Sequence, residues 1–257
     1  MIGAICPYGA IPVREEPFNR AALETQILFG EVFYLLETFQ GWCRIRIDFD
    51  GYEGWIDEST FISADDKIIN QWLDTSGIVV PTPCLKLIRE PEKLVQTISG
   101  GSKIVFNGDD LNSINVGGRE FYLQGKLTNR KLKLEEVAKS FINSPYLWGG
   151  RTFFGIDCSG LAQVVFKIMG VAIPRNAAQQ VDCGSIVSFV EEARPGDLAF
   201  FDDTEGTIIH VGICIGSGKI IHASNEVRID SLDHQGIFNQ DLKKYTHFLR
   251  VIKRIIA

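Results

Sequence analysis

Apolar and polar residues change rhythm near residue 130 of this chain. Before that point they fall in short runs broken by Gly, Asp, Asn and Pro: Ala10 to Val13, Gln26 to Phe29, Val32 to Glu37, Trp42 to Ile47 and Gly54 to Ile56. Arg44-Ile45-Arg46-Ile47 alternates as a half-buried strand does, and Asp48 to Gly51 is a tight turn. Five short strands in about 60 residues predict a small barrel. Ile68, Ile69, Trp72 and Leu73 then predict a short helix over 65–75. Short runs resume at Gly77 to Val80, Leu85 to Ile88, Lys103 to Phe106, Ser113 to Val116 and Arg119 to Leu123, a second barrel. Leu134, Val137, Ala138 and Phe141 follow at i, i+3, i+4 and i+7, an amphipathic helix. A second helix runs through Leu161, Ala162, Val164, Val165, Ile168 and Met169 until Gly170 stops it. Strand-like segments then occupy Asp197 to Phe201, Ile208 to Ile215, Lys219 to His222 and Phe248 to Ile252. Helices followed by antiparallel strands make this region α+β. The expected domains are 1–63, 64–129 and 130–257.

The composition is that of an ordinary globular protein, 45% hydrophobic and 23% charged, with net charge −6 and no basic stripe. No nucleic-acid or membrane partner is expected, and no obligate protein partner. Met1 to Cys6 has neither the basic region nor the apolar run of a secretory signal. A chain complete as written is therefore expected in the cytoplasm, and one trimmed of a leader in the periplasm or outside the cell. The six cysteines (Cys6, Cys43, Cys84, Cys158, Cys183 and Cys214) are scattered, with no Cys-x-x-Cys. Isolated thiols in a reducing compartment fit that spacing better than disulfides or zinc, and five of the six read as small core residues. No metal or cofactor is expected.

Cys158 differs. It follows Asp157, a candidate N-cap, and opens the second helix. A thiol in a first helical turn faces unpaired N–H groups and the positive end of the helix dipole, which favours the thiolate. Nucleophilic catalysis by a thiol also needs a base and a group to orient that base. The chain holds four histidines. His210 and His222 flank a hairpin closed by Gly216-Ser217-Gly218. A three-residue loop sets Ile215 opposite Lys219 and His222 opposite Gly212, with His210 on the same face at a diagonal of about 7–8 Å. A two- or four-residue loop would put the two imidazoles on opposite faces. In the favourable register His210 is the base for Cys158 and His222 its orienter. His234 and His247 lie among polar residues and read as surface positions.

The motifs Tyr146-Leu-Trp148-Gly-Gly-Arg151-Thr-x-x-Gly-Ile-Asp157-Cys158-Ser159-Gly-Leu, Ile173-Pro-Arg175-Asn176-Ala-Ala-x-Gln180, Arg194-Pro-Gly-Asp197-Leu, His210-Val-Gly-Ile and Ile221-His222-Ala-Ser occur in the order of the NlpC family. The region from about 130 to 257 resembles these papain-like bacterial cysteine peptidases of cell-wall peptides. Gly30-Glu31, Gly41-Trp42 and above all Gly51-Tyr52-x-Gly54-Trp55-Ile56 resemble bacterial SH3-like domains. The fold class implied is α+β: a papain-like catalytic domain, helices packed on an antiparallel sheet, preceded by two small all-β SH3-like barrels. The whole chain resembles the γ-D-glutamyl-L-diamino acid endopeptidases of murein peptide recycling. The resemblance implies Cys158 as nucleophile, His210 as base and His222 as orienting residue. The Cys158 backbone N–H and Tyr146 would form the oxyanion hole. The substrate is a small murein peptide with a free L-alanine amine, cut between γ-D-Glu and lysine or diaminopimelate. In that subgroup the first SH3-like domain reads the amine, and the resemblance puts Glu31 as counter-charge and Tyr52 as hydrogen-bonding wall. Trp148, Arg151, Asp157 and Ser159 would line neighbouring subsites. Two rivals remain: an acyltransferase or muramoyl-alanine amidase using the same thiol, and a non-catalytic peptidoglycan-binding protein.

Overall fold

Arg44 to Ile47 does alternate, with Ile45 and Ile47 buried, and lies within a strand over Trp42–Ile47. The computed structural model describes residues 2–108, 110–125, 127 and 132–256. It divides into two compact units, Met1–Lys131 with Gly149–Phe153, and Leu132–Trp148 with Phe154–Ala257. The expected boundary between residues 129 and 130 lies outside the described residues. The placing of Gly149–Phe153 with the first unit departs from the contiguous division expected.

The first unit begins with β1 (Gly3–Ile5), β2 (Ala10–Arg14), β3 (Leu23–Leu28), β4 (Val32–Phe39), β5 (Trp42–Ile47), β6 (Glu53–Asp57) and β7 (Ser63–Ala64). They form one antiparallel sheet in the order β3-β2-β6-β5-β4-β1-β7 around Ile11, Val13, Ile27, Phe33, Ile45 and Ile56. Helix α1 (Asp66–Asp74) follows, capped by the Asp65 carboxylate accepting from the Lys67 N–H, with Ile69 and Trp72 inward. Next come β8 (Ile78–Val79), β9 (Cys84–Arg89), β10 (Leu94–Ser99), β11 (Lys103–Ile104), β12 (Phe106–Asn107), β13 (Asp110–Val116) and β14 (Arg119–Gln124). They build a sheet β10-β9-β14-β13-β12 and a ribbon β8–β11. The two sheets were expected to be separate domains. Instead Ile5, Phe29 and Val32 share one apolar cluster with α1, Leu87, Ile98 and Phe121. The Trp72 indole N–H donates to the Gly30 carbonyl at 2.9 Å. A Cβ on Gly30 would stand 1.9 Å from the Lys103 carbonyl oxygen, so only glycine permits that approach. The unit ends with β15 (Arg151–Thr152).

The second unit opens with α2 (Leu134–Lys139), which buries Leu134, Val137 and Ala138 as its spacing predicts. After β16 (Gly155–Ile156) comes α3 (Cys158–Ile168), buried on every side rather than along one stripe. A short α4 (Ala177–Gln180) leads into β17 (Ser185–Val187), β18 (Leu198–Asp202), β19 (Ile208–Gly216), β20 (Lys219–Ser224), β21 (Glu226–Leu232), β22 (Gly236–Asn239) and β23 (Lys244–Arg254). Their order is β17-β23-β18-β19-β20-β21-β22, and β22 also pairs with β23. The sheet therefore closes into a six-stranded antiparallel barrel, where the sequence predicted only an antiparallel sheet. Its interior holds Ala199, Phe201, Cys214, Ile220, Ile237 and Ile252. Cys6, Cys43 and Cys214 are buried as expected, whereas Cys84 is exposed. No helix among the described residues is long and apolar enough to cross a membrane.

Candidate active site

Cys158 opens α3 after an N-cap whose carboxylate is fully used. Asp157 Oδ1 accepts from the Gly160 N–H at 2.6 Å, the Ser159 hydroxyl at 3.2 Å and Arg175 Nη1 at 3.0 Å. Its Oδ2 accepts from Arg175 Nη2 at 2.6 Å. Arg175 also donates to Ser159 Oγ at 2.8 Å. All three residues are buried. Asp157 and Ser159, expected as subsite walls, instead brace the nucleophile's turn, because Arg175 claims their oxygens. A buried guanidinium needs such acceptors. In the sequence Arg175 is visible only as a motif position, with no sign of this role.

The thiol departs from the expectation of a lowered pKa. Burial pushes Cys158 up to about 12, and the Asp157 charge adds to the rise. Hydrogen bonds from the Val211 and Ser159 backbone and the charge of Arg175 oppose it. In so dry a site desolvation outweighs the helix terminus. The Val211 contact also sets the sulfur beside the residue that follows His210.

The two histidines meet, by a different turn from the one expected. Gly216 pairs with Lys219, leaving the two-residue loop Ser217-Gly218, with φ +53° and +62°. Such a loop alone would put the imidazoles on opposite faces. A bulge between Cys214 and Gly216 restores the register, so Ile213 pairs with Ile221 and His222 faces Gly212. A Cβ on Gly212 would lie 3.1 Å from the His222 Cβ.

His210 Nε2 stands 2.9 Å from His222 Nδ1, and His222 Nε2 stands 3.1 Å from Asp230 Oδ2. The ionised carboxylate only accepts, so His222 donates from Nε2 and its Nδ1 is bare. That nitrogen accepts from His210 Nε2–H, which leaves His210 Nδ1 as the basic lone pair. Burial works against Asp230 ionising, but hydrogen bonds from His222 and Arg228 hold its carboxyl below the usual range. Arg228 grips it with Nε at 2.8 Å and Nη2 at 3.1 Å. Burial, then His247 and His222, keep His210 well below the ordinary imidazole value. Sequence reasoning missed Asp230, whose strand β21 it did not find.

His247 is not a surface residue. It is half-buried, and its ring stacks on His210 with centroids 4.1 Å apart and planes 22° apart. Burial and His222 lower its pKa to about 4, against the Asp230 charge. The bonding nitrogens of His210, His222 and His247 lie within 4.8 Å of one another. Two of these nitrogens, His210 Nε2 and His222 Nδ1, are already joined by a hydrogen bond at 2.9 Å. This geometry suits a proton relay. His234 is exposed, as expected.

Of the other expected residues, Tyr146 feels the charges of Cys158 and Asp157, and with burial as the larger cause its hydroxyl is pushed up to about 12. Trp148 is 64% exposed. Glu31, Arg151 and Tyr52 belong to the first unit. Both Glu31 oxygens take Arg151 guanidinium hydrogens, each at 2.9 Å, and Glu31 also accepts from the Leu28 N–H at 2.7 Å. The pair is fully buried, with side chains 0% and 2% exposed. The carboxylate of Glu31, expected as counter-charge, and the guanidinium of Arg151, expected in a subsite, are thus committed to one another in this structure. Each neutralises the other, as buried charges must. Tyr52 donates its hydroxyl to Glu24 Oε2 at 2.7 Å.

A thiol at a buried helix start and an imidazole polarised through a second imidazole to a carboxylate define the class of cysteine peptidases. Residues 143–246 match the NlpC/P60 family, and residues 13–61 match the bacterial dipeptidyl-peptidase Sh3 domain. The γ-D-glutamyl-L-lysine dipeptidyl-peptidase of Bacillus subtilis is 30% identical over 78% of this chain and 72% of that protein. Dipeptidyl-peptidase 6 of Lysinibacillus sphaericus is 28% identical over 88% of this chain and 91% of that protein. The crystal structure of an NlpC/P60 family protein from Bacillus cereus shares the fold, with a TM-score of 0.82 at 21% identity over 99% of this chain and 100% of that one. The chain belongs to the NlpC/P60 family and is a cysteine peptidase with a bacterial SH3-like domain.

Proposed function

We propose that this peptidase hydrolyses the bond between γ-D-Glu and the L-diamino acid of free murein peptides, releasing L-Ala-γ-D-Glu during wall-peptide recycling. The observation that carries the chemistry is the His210–His222–Asp230 relay beside the Cys158 helix start. The names of the Bacillus subtilis and Lysinibacillus sphaericus relatives support the bond and the dipeptide product. The sheet β10-β9-β14-β13-β12 is read as a second SH3-like module.

With Cys158 as thiol and His210 neutral, attack and proton transfer go together. The Sγ–H proton passes to His210 Nδ1 while sulfur bonds the γ-carbonyl carbon of D-Glu. The Cys158 backbone N–H, at the first helical position and without a helical acceptor, and the Tyr146 hydroxyl receive the oxyanion. The C–N bond then breaks, and the amine of the diamino acid leaves with the proton from His210. Water, deprotonated by His210, attacks the thioester, and its proton returns to sulfur. His222 and Asp230 hold the tautomer throughout.

A free alanine amine is a cation whose recognition calls for a carboxylate. Glu31 is committed to Arg151. Glu24 is half-buried and accepts the Tyr52 hydroxyl at 2.7 Å.

The test is mass-spectrometric turnover of L-Ala-γ-D-Glu-L-Lys and its diaminopimelate analogue, each with the amine free or acetylated, by wild type and Cys158→Ala. Cleavage of free-amine peptides alone, absent in the variant, is expected. Equal cleavage of acetylated peptides removes the amine requirement. No cleavage of either, with peptide still bound, turns the reading to a binding module, and a new amide in place of a hydrolysed one turns it to a transferase.

A further inference from the structure

His247 has no role in the relay described above, yet it is built into it. It sits on β23 at the position paired with Ile237, two residues before Leu249, which pairs with Phe201 of β18. Its ring stacks on His210 at 4.1 Å, and lies 5.9 Å from Phe201 and 5.8 Å from His222, edge-on to both. Phe201 is itself 5.8 Å from His210. His210 is thus held by three rings from three strands, and only one of them, His222, hydrogen-bonds it in the relay. His247 Nδ1 is 3.0 Å from Thr246 Oγ1, so this imidazole is anchored on its own strand.

We propose that His247 is a positioning residue for the peptidase reaction: its ring covers one face of His210, fixes that ring's plane between Cys158 and His222, and keeps water off it. The inference rests on His210 being the base. A histidine bonded at one nitrogen still turns about that bond, and stacking removes the freedom. Covering the ring also keeps His210 deprotonated down to a lower pH than an ordinary imidazole, so it stays able to accept the thiol proton. The titratable groups acting directly on His210 are His247 from β23 and His222 from β20; Asp230 and Arg228 from β21 act through His222, and Cys158 from α3 meets the backbone of Val211, the next residue. On β18, Asp202 is paired with Arg250 of β23 at 3.6 Å.

The experiment uses full-length wild type, His247→Ala and His247→Phe. Two pH profiles are recorded, kcat and KM for the free-amine tripeptide, and the rate at which iodoacetamide alkylates Cys158. Melting temperature and far-UV circular dichroism confirm folding. His247→Ala is expected to lower kcat about 10-fold with KM within about 2-fold, and to move the acid limb of both profiles up by about one pH unit as water reaches His210. His247→Phe keeps a flat ring on His210 and no proton, and should return both limbs most of the way to the wild-type position, short of it only by what the His247 charge contributes. Acid limbs of His247→Ala that coincide with wild type overturn the proposal. So do limbs of His247→Phe that move with those of His247→Ala, since the imidazole's chemistry and not its stacking would then matter. If no peptide is cut by any form, alkylation still reads the Cys158–His210 pair. The substrate assignment then fails while the positioning role stands or falls on its own limb.

Discussion

Arg175→Met strands a buried carboxylate beside the nucleophile. The guanidinium gives Asp157 two hydrogen bonds, at 3.0 and 2.6 Å, and Ser159 one at 2.8 Å. The two charged side chains are only 2% and 7% exposed, so water does not replace what is removed. Breaking such a pair from one side costs about 3–5 kcal/mol. Asp157 keeps the Gly160 N–H and the Ser159 hydroxyl, which favours the lower end, about 3 kcal/mol. Asp157→Asn retains a capping oxygen but strands Arg175, at a similar cost. The double variant should lose at least about 2 kcal/mol less than the sum, since neither ion is then left alone. Calorimetry of the full-length chain supplies the cycle. The same pair acts on the thiol with opposite signs: the Asp157 charge raises its pKa and the Arg175 charge lowers it. Alkylation of Cys158 should therefore need higher pH in Arg175→Met and lower pH in Asp157→Asn. Additive stabilities, or shifts in the same direction, would refute the reasoning.

Three further outcomes follow from the relay. Asp230→Asn should cut kcat by about 10²–10⁴ with little change in KM, because His222 loses the acceptor that fixes its tautomer. The Asp230 carboxyl titrates below its unfolded value of about 3.9, so its stabilisation is present above that pH and disappears as pH falls through the folded value. Acid unfolding of Asp230→Asn should lack that component, and a wild-type acid curve in the variant would count against the relay. Since burial holds Cys158 as the thiol, subtracting the 240-nm absorbance of Cys158→Ser should reveal no thiolate step between about pH 5 and 8; a step in that window means a resting ion pair. Gly212→Ala puts a methyl 2.6 Å from Ile220 Cδ1 and 3.1 Å from His222 Cβ. It should cost about 1–3 kcal/mol and lower kcat more than it raises KM, and an unchanged kcat would show that His222 does not need that gap.

What the sequence showed and hid at this site divides along physical lines. Local chemistry was legible: a capped helix start names Cys158, and glycines around a hairpin bring His210 and His222 together. Even there the expected three-residue loop proved to be a two-residue turn with a bulge, and both insert the same single residue into the register. The supporting residues were hidden because their sequence signal contradicts their environment. Asp230 lies at an inward position of β21, whose residues Glu226, Arg228 and Asp230 make Glu226–Leu232 read as a loop. Without β21 and β22, closure of the barrel was invisible too. His247 stands just before the expected strand start at Phe248, among Lys, Tyr and Thr. The strand begins at Lys244 and carries it inward. Glu31 shows the opposite case: motif position marked it as a counter-charge for the substrate, and only the fold shows it paired with Arg151.

A polar side chain becomes worth burying only when its partner is already held in place, and that partner comes from a distant part of the chain: Arg175 for Asp157, Asp230 for His222, Arg151 for Glu31. Periodicity sees each such residue alone and scores it as surface. The reactive groups escape that fate because their neighbours in sequence, a cap and a hairpin loop, already declare them. The groups that tune them are declared only by the closed barrel and by the helices packed on it. The pH limbs of the His247 and Arg175 variants therefore probe the part of this site that its sequence alone does not reveal.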